Sequence, residues 1–160
     1  MAHVTEPRPG WVERLVAGDR SYEIVAAFSP IDRIIAVKKG LPAMLLSRMA
    51  SDMSIPRDRL YFWLGIARTT ANRKVNKGEN LSQDESERAL GIARLVGEVQ
   101  KVVSESGNPE GFDAARWTAD WLEEPNEALG GRPPGEFMDT ADGRDLVSGL
   151  VAKMQSGAYA

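Results

Sequence analysis

Between positions 68 and 77 the chain places Arg68, Thr69, Asn72, Arg73, Lys74, Asn76 and Lys77 within ten residues. Suppose that, at helical spacing, Ala67, Ala71 and Val75 turn inward. Thr69, Asn72, Arg73 and Asn76 then share the opposite face, with Arg68, Lys74 and Lys77 beside it. Such a mixture suits the major groove of DNA. Arginine bonds guanine bidentately and asparagine pairs with adenine, while lysine, threonine and backbone N–H groups hold phosphates. The plainer alternative is a solvated helix face with no target.

Other chemistry is sparsely represented. Carboxylates such as Glu123, Glu124, Asp139, Asp142 and Asp145 would be the raw material of a glycosidase-like acid–base pair. Neither a phosphate-binding loop nor a nucleophile motif accompanies them. The single histidine is His3, and there is no cysteine, which excludes disulfides, thiolate metal sites and cysteine nucleophiles. The expectation is a protein that is not an enzyme and uses no cofactor and no metal.

The net charge of −3 over 160 residues hides a division. From Arg33 to Lys77 ten basic residues face two acidic ones, a net +8; from Glu105 onward eleven acidic residues face four basic ones, a net −7. Two regions of opposite sign suggest two partners, with the basic one facing a polyanion. No window reaches the roughly 20 apolar residues that span a bilayer, and no basic stretch followed by an apolar run marks a signal peptide. No membrane association and a cytoplasmic location are expected.

The elements that must carry these residues are helices. Residues 1–20 show little periodicity and read as mobile, with Trp11, Val12 and Leu15 docking. Ser29-Pro30-Ile31-Asp32 reads as a helix start, followed by Ile31, Ile34, Ile35 and Lys38 at helical spacing and ended by Gly40. Leu41-Pro42 opens the next helix, with Leu41, Met44, Leu45, Met49 and Met53 on one face. Helices from about Arg57 to Leu64 and from about Ala67 to Asn76, joined across Gly65, have the layout of a helix-turn-helix. Its small core would be Leu60, Leu64, Ile66, Ala71 and Val75. Ser82 and Glu85 form a capping-box pair behind Leu81. The long helix they start runs to Ser106, and its apolar stripe serves either as a dimer seam or as the central core helix. After Gly107-Asn108-Pro109, a helix from Phe112 to Glu123 carries Trp117 and Trp121 on one face, as core or in part as interface. Pro125 to Leu129 allows a short turn of helix. Asn126 with Gly130, Gly131 and Pro133 reads as a turn. A last helix is capped by Thr140 and Asp142, with Leu146, Leu150, Val151 and Met154 as its apolar face.

From Ser29 onward the chain resembles the Xre/MbcA/ParS antitoxin family, partners of RES-domain toxins. The front half carries Gly40-Leu41-Pro42, Leu64-Gly65-Ile66, Thr70, Arg73, and Leu81-Ser82 with Glu85, Glu87 and Arg88. The rear half carries Trp121-Leu122, Pro125-Asn126-Glu127-Ala128-Leu129-Gly130-Gly131, Pro133, Thr140, Gly143, Val147, Leu150, Lys153, Gly157 and Tyr159. Met138 stands where leucine is usual, and Lys153 where arginine is common, which changes the geometry of any contact made there.

The resemblance implies an all-α fold with a helix-turn-helix front part joined by a long helix to a small helical toxin-binding domain. The corresponding divisions are 1–28, 29–106 and 107–160. It also implies dimerisation, operator binding, autoregulation, and a partner toxin that degrades NAD or uses it for ADP-ribosylation. Under this reading DNA is held by Arg68, Thr69, Asn72, Arg73, Lys74 and Lys77. The toxin is held by Trp121, Lys153, Gly157, Tyr159 and Ala160. The ending Gly157-Ala158-Tyr159-Ala160, with a ring beside a carboxylate, is suited to covering the toxin's NAD site, or is a loose end. The competing reading is a helix-turn-helix regulator without a toxin partner.

Overall fold

The computed structural model describes residues 10–155. Nine α-helices are found among them: α1 (Trp11–Val16), α2 (Glu23–Ala26), α3 (Pro30–Lys39), α4 (Met44–Met53), α5 (Arg57–Leu64), α6 (Arg68–Lys77), α7 (Gln83–Glu105), α8 (Ala114–Glu123) and α9 (Ala141–Gln155). Two 3-10 turns, Glu127–Leu129 and Pro134–Phe137, lie between α8 and α9. The architecture is all-α. Extended pairing among the described residues is limited to two isolated bridges, Pro42 with Asn80 and Asn126 with Arg132.

Local chemistry sets the helix boundaries. Ser29 and Asp32 close a reciprocal capping box ahead of α3, and Ser82 and Glu85 do the same ahead of α7. α5 stops at Gly65, whose φ of 66° is left-handed and costs glycine nothing. Leu41-Pro42 precedes α4 instead of opening it. The Leu41 N–H donates to Ser86 Oγ (2.9 Å), and the Leu41 carbonyl accepts from the Leu81 N–H (2.7 Å). This clip fastens the entry to α4 onto the start of α7.

The long helix α7 is the centre of the molecule. Its apolar positions Ile92, Ala93, Leu95, Val96 and Val99 are all buried, and α2, α3, α5, α8 and α9 pack around it. The stripe is therefore spent within the chain, so the seam reading of this helix gives way to the core reading. Approach is close enough at two of its glycines to exclude a side chain. A Cβ on Gly97 would overlap the Tyr22 carbonyl, and one on Gly91 would overlap the Arg144 stem.

Trp11 and Leu15 dock as expected, and Tyr22, Val25 and Phe28 are buried with them, Trp11 lying edge-on to Phe28. The expected apolar faces of α3, α4 and α9 are corrected. On α3 the core-facing residue is Ala36, while Ile31 and Ile34 are exposed; Met44 of α4 is exposed as well. On α9 the buried positions are Gly143, Val147, Leu150 and Val151, with Met154 half-buried, and Leu146 is exposed. Leu146 lies one step around the helix from this stripe.

Asp52, at the end of α4, is buried, and its carboxylate holds the ends of two side chains. Oδ2 accepts from the Tyr22 hydroxyl (2.6 Å), and Oδ1 accepts from Arg48 Nε (3.1 Å) and Nη2 (2.9 Å). Burial, reinforced by the Asp52 hydrogen bond and charge, keeps the Tyr22 phenol far above its ordinary pKa. Arg20 Nη2 donates both to the Asp52 carbonyl (3.0 Å) and to Asp113 Oδ1 (2.7 Å) ahead of α8. The network therefore ties the front helices to the start of the rear domain.

Candidate nucleic-acid interface and the rear-domain surface

α5 and α6 pack through Leu60, Leu64, Ile66, Ala71 and Val75, all buried, across the turn Gly65-Ile66-Ala67. The back of α5 is fixed separately. Trp63 lies against Gly135, where a Cβ would overlap its indole, so the helix pair is seated on the rear domain. Arg59 adds an exposed pair with Glu123 of α8 (3.0 Å).

α6 begins without a side-chain cap at Ala67. The first-turn amides of such a helix carry the positive end of its dipole and suit a phosphate. Its open face holds Thr69, Arg73, Asn76 and Lys77, with Arg68 at the N-terminal edge, and all five are exposed. Arg68 stands 3.4 Å from Asp58 and Arg73 3.5 Å from Glu79. Exposed pairs of this kind are worth little and exchange readily for phosphate or base.

Asn72 and Lys74 are placed differently from the other predicted DNA contacts. Asn72 is half-buried, and its Oδ1 accepts from the Tyr61 hydroxyl (3.0 Å). Bidentate pairing with adenine needs both ends of the amide, and here one end is committed to α5. Lys74 is paired with Glu85, with only 15% of its own side chain and 12% of the glutamate's exposed. Glu85 meanwhile closes the α7 capping box through the Ser82 N–H (2.8 Å). Burial alone would raise the Glu85 pKa, but the bonds from Lys74 and Ser82 outweigh it and hold the carboxyl below its usual range. The two side chains act as braces that fix α6 against α5 and α7. With Arg48 engaged by Asp52 as well, fewer cations of the +8 stretch face solvent than its sequence suggests. The pairings Tyr61–Asn72 and Lys74–Glu85, each across eleven residues, escaped the sequence reading, which placed Glu85 only in its capping box.

In the rear domain Trp117 and Trp121 stack at 6.0 Å with rings 9° from parallel. Trp121 is buried, and Trp117 carries the exposed share of the pair. Asn126 is buried inside its own turn. Its Oδ1 accepts from the Ala128 N–H (2.9 Å), and its carbonyl accepts from the Gly131 N–H (2.9 Å). Thr140 Oγ1 accepts from the Gly143 N–H (3.0 Å), and a Cβ on Gly143 would strike the Phe137 carbonyl. These motif residues shape the domain. Lys153 is exposed near the end of α9. The expected toxin contacts Gly157, Tyr159 and Ala160 lie outside the described residues. Among the described residues no helix is long and apolar enough to cross a membrane.

The comparisons with known proteins divide the chain at the same two regions. Residues 32–94 match the antitoxin Xre-like helix-turn-helix domain, and residues 110–157 match the antitoxin Xre/MbcA/ParS C-terminal toxin-binding domain. A relative from Sphingobium sp. (strain YBL2), named Prs ADP-ribosylating antitoxin, is 39% identical over 140 residues, covering 88% of each chain. These are antitoxin families, and the chain is a binding protein and not an enzyme. With a helix-turn-helix domain in front and a toxin-binding domain behind, the chain belongs to the Xre/MbcA/ParS family of antitoxins.

Proposed function

We propose that this antitoxin neutralises a cognate RES-domain toxin through its rear domain and binds operator DNA through α5 and α6 to regulate its own operon, working in the cytoplasm. The observation that carries this reading is the union, in one chain, of an open cationic helix face with a matched toxin-binding domain. The name of the Sphingobium relative favours ADP-ribosylation over NAD degradation as the toxin's chemistry. Operator binding is by a dimer, because two helix pairs on a two-fold site double the few base contacts that one pair offers. With α7 enclosed, the exposed Ile31 and Ile34 on α3 are the better candidate for the dimer contact. Residues 157–160, following α9, complete inhibition by covering the toxin's active site.

Co-expression with the adjacent gene tests the reading. The chain should co-purify with that gene's product and restore growth to cells that express it. Deletion of residues 157–160 should leave operator binding intact and impair rescue. A chain that shifts the operator fragment but neither captures nor neutralises the neighbour is a regulator without a toxin partner.

A further inference from the structure

Fourteen glycines fall among the described residues, and thirteen have an evident internal reason to be glycine. Nine of these, including Gly65, Gly78 and Gly130, have positive φ. The other four, Gly91, Gly97, Gly135 and Gly143, sit where a Cβ would collide with a neighbouring element. Gly149 has neither reason. It lies inside α9 with no positive φ, and an added Cβ would meet nothing within 4 Å. Glycine in an exposed helix interior is unfavourable relative to alanine, so the fold gains nothing from it there.

Its neighbours give the notch a setting. The exposed face of α9 consists of Asp142, Asp145, Leu146, Gly149, Ala152 and Lys153, which recur at helical spacing with Gly149 at the centre. Leu146, one turn before the glycine, is 48% exposed. An apolar knob beside a backbone-deep notch, rimmed by charged residues, has the composition of an interface centre. This face lies within the stretch matched to the toxin-binding domain.

We propose that the outward face of α9, centred on Leu146 and Gly149, is the docking surface for the toxin, with a toxin segment packed onto the bare backbone at Gly149. The proposal rests on the antitoxin reading above. It assigns to Gly149 opposite effects on folding and on binding.

The test uses the full chain co-expressed with the adjacent gene's product as the probe. Gly149→Ala should raise the chain's Tm by about 2–4 °C while weakening capture of the probe about tenfold or more. Leu146→Asp should weaken capture about tenfold or more without lowering operator affinity. If both variants capture the probe as the parent does, the docking surface is elsewhere. If Gly149→Ala melts lower, the glycine serves the fold and the argument falls. A change of oligomeric state in Leu146→Asp with capture unaltered would reassign the face to a second copy of the chain. If the parent chain captures nothing, the antitoxin reading itself has failed, which is a different outcome from failure of the variants alone.

Discussion

α6 and α9 both turn an open face to solvent, and the two faces are built in opposite ways. The face of α6 is made of long polar side chains, Arg68, Arg73 and Lys77, with Thr69 and Asn76 between them. Its flanks are braced from neighbouring helices, Asn72 by Tyr61 and Lys74 by Glu85. The face of α9 has its long charged groups toward the ends and Leu146, Gly149 and Ala152 in the middle. A polyanion is met by reach and charge, which requires a rigidly seated helix and extended side chains. A protein surface is met by shape, which favours an apolar knob and a small residue.

The largest expected effect strikes what the two regions share. Asp52→Ala leaves the buried Tyr22 hydroxyl and the half-buried Arg48 guanidinium without their common acceptor, and it should cost about 2–4 kcal/mol of folding stability by urea titration. Operator binding and toxin capture should then decline together. A loss confined to one of them would show that the two halves fold independently.

Changes on α6 separate the regions. Arg73→Ala should cost about 1–3 kcal/mol of operator affinity in a gel shift if it reads a base, with toxin capture unchanged. Lys77→Ala should weaken binding to all sequences alike and reduce the slope of log affinity against log salt by about one. If both variants bind as the parent does, α6 is not the reader.

The braces differ from the readers. Lys74→Ala should cost about 1–3 kcal/mol of stability by leaving the partly buried Glu85 without its cation. Because the folded Glu85 pKa lies below its usual value near 4.5, its stabilisation is complete above that pH. It is lost as pH falls through the folded pKa, so acid should destabilise the parent more steeply than the variant. A salt slope reduced by one without a stability change would place Lys74 among the phosphate contacts instead.

The smallest effect concerns Tyr61→Phe, which frees the Asn72 amide. It should cost about 0.5–1.5 kcal/mol of stability. Thermal melts and a gel shift would check it. A loss of operator specificity larger than the loss of stability would confirm that the brace serves reading.

Much of this was legible in the residues. Ser29-Pro30-Ile31-Asp32 announced a helix start, Ser82 with Glu85 announced a capping box, and Leu60, Leu64, Ile66, Ala71 and Val75 announced the helix-turn-helix core. What periodicity cannot convey is which element covers a stripe. The apolar run of α7 looked wide enough for a second chain, but α2, α3, α8 and α9 occupy it. Leu146 stands four residues before Leu150 and so passed for core, although the buried stripe runs through Val147. Lys74 looked like a phosphate ligand because it lies beside the polar face of α6, and the Glu85 that engages it sits on the next helix, where spacing within α6 cannot reveal it. Gly149 carries no signal in the spacing of the residues, because its significance lies in the empty space around it.

The central claim, that one chain serves two partners through two separate helical faces, is tested most directly by a crossed binding experiment. Arg73→Ala and Leu146→Asp would each be titrated against operator DNA and against the product of the adjacent gene. The account predicts that Arg73→Ala loses DNA and keeps the protein partner, and that Leu146→Asp keeps DNA and loses the protein partner. If both variants lose both partners, or if the parent binds only one of them, the account is contradicted.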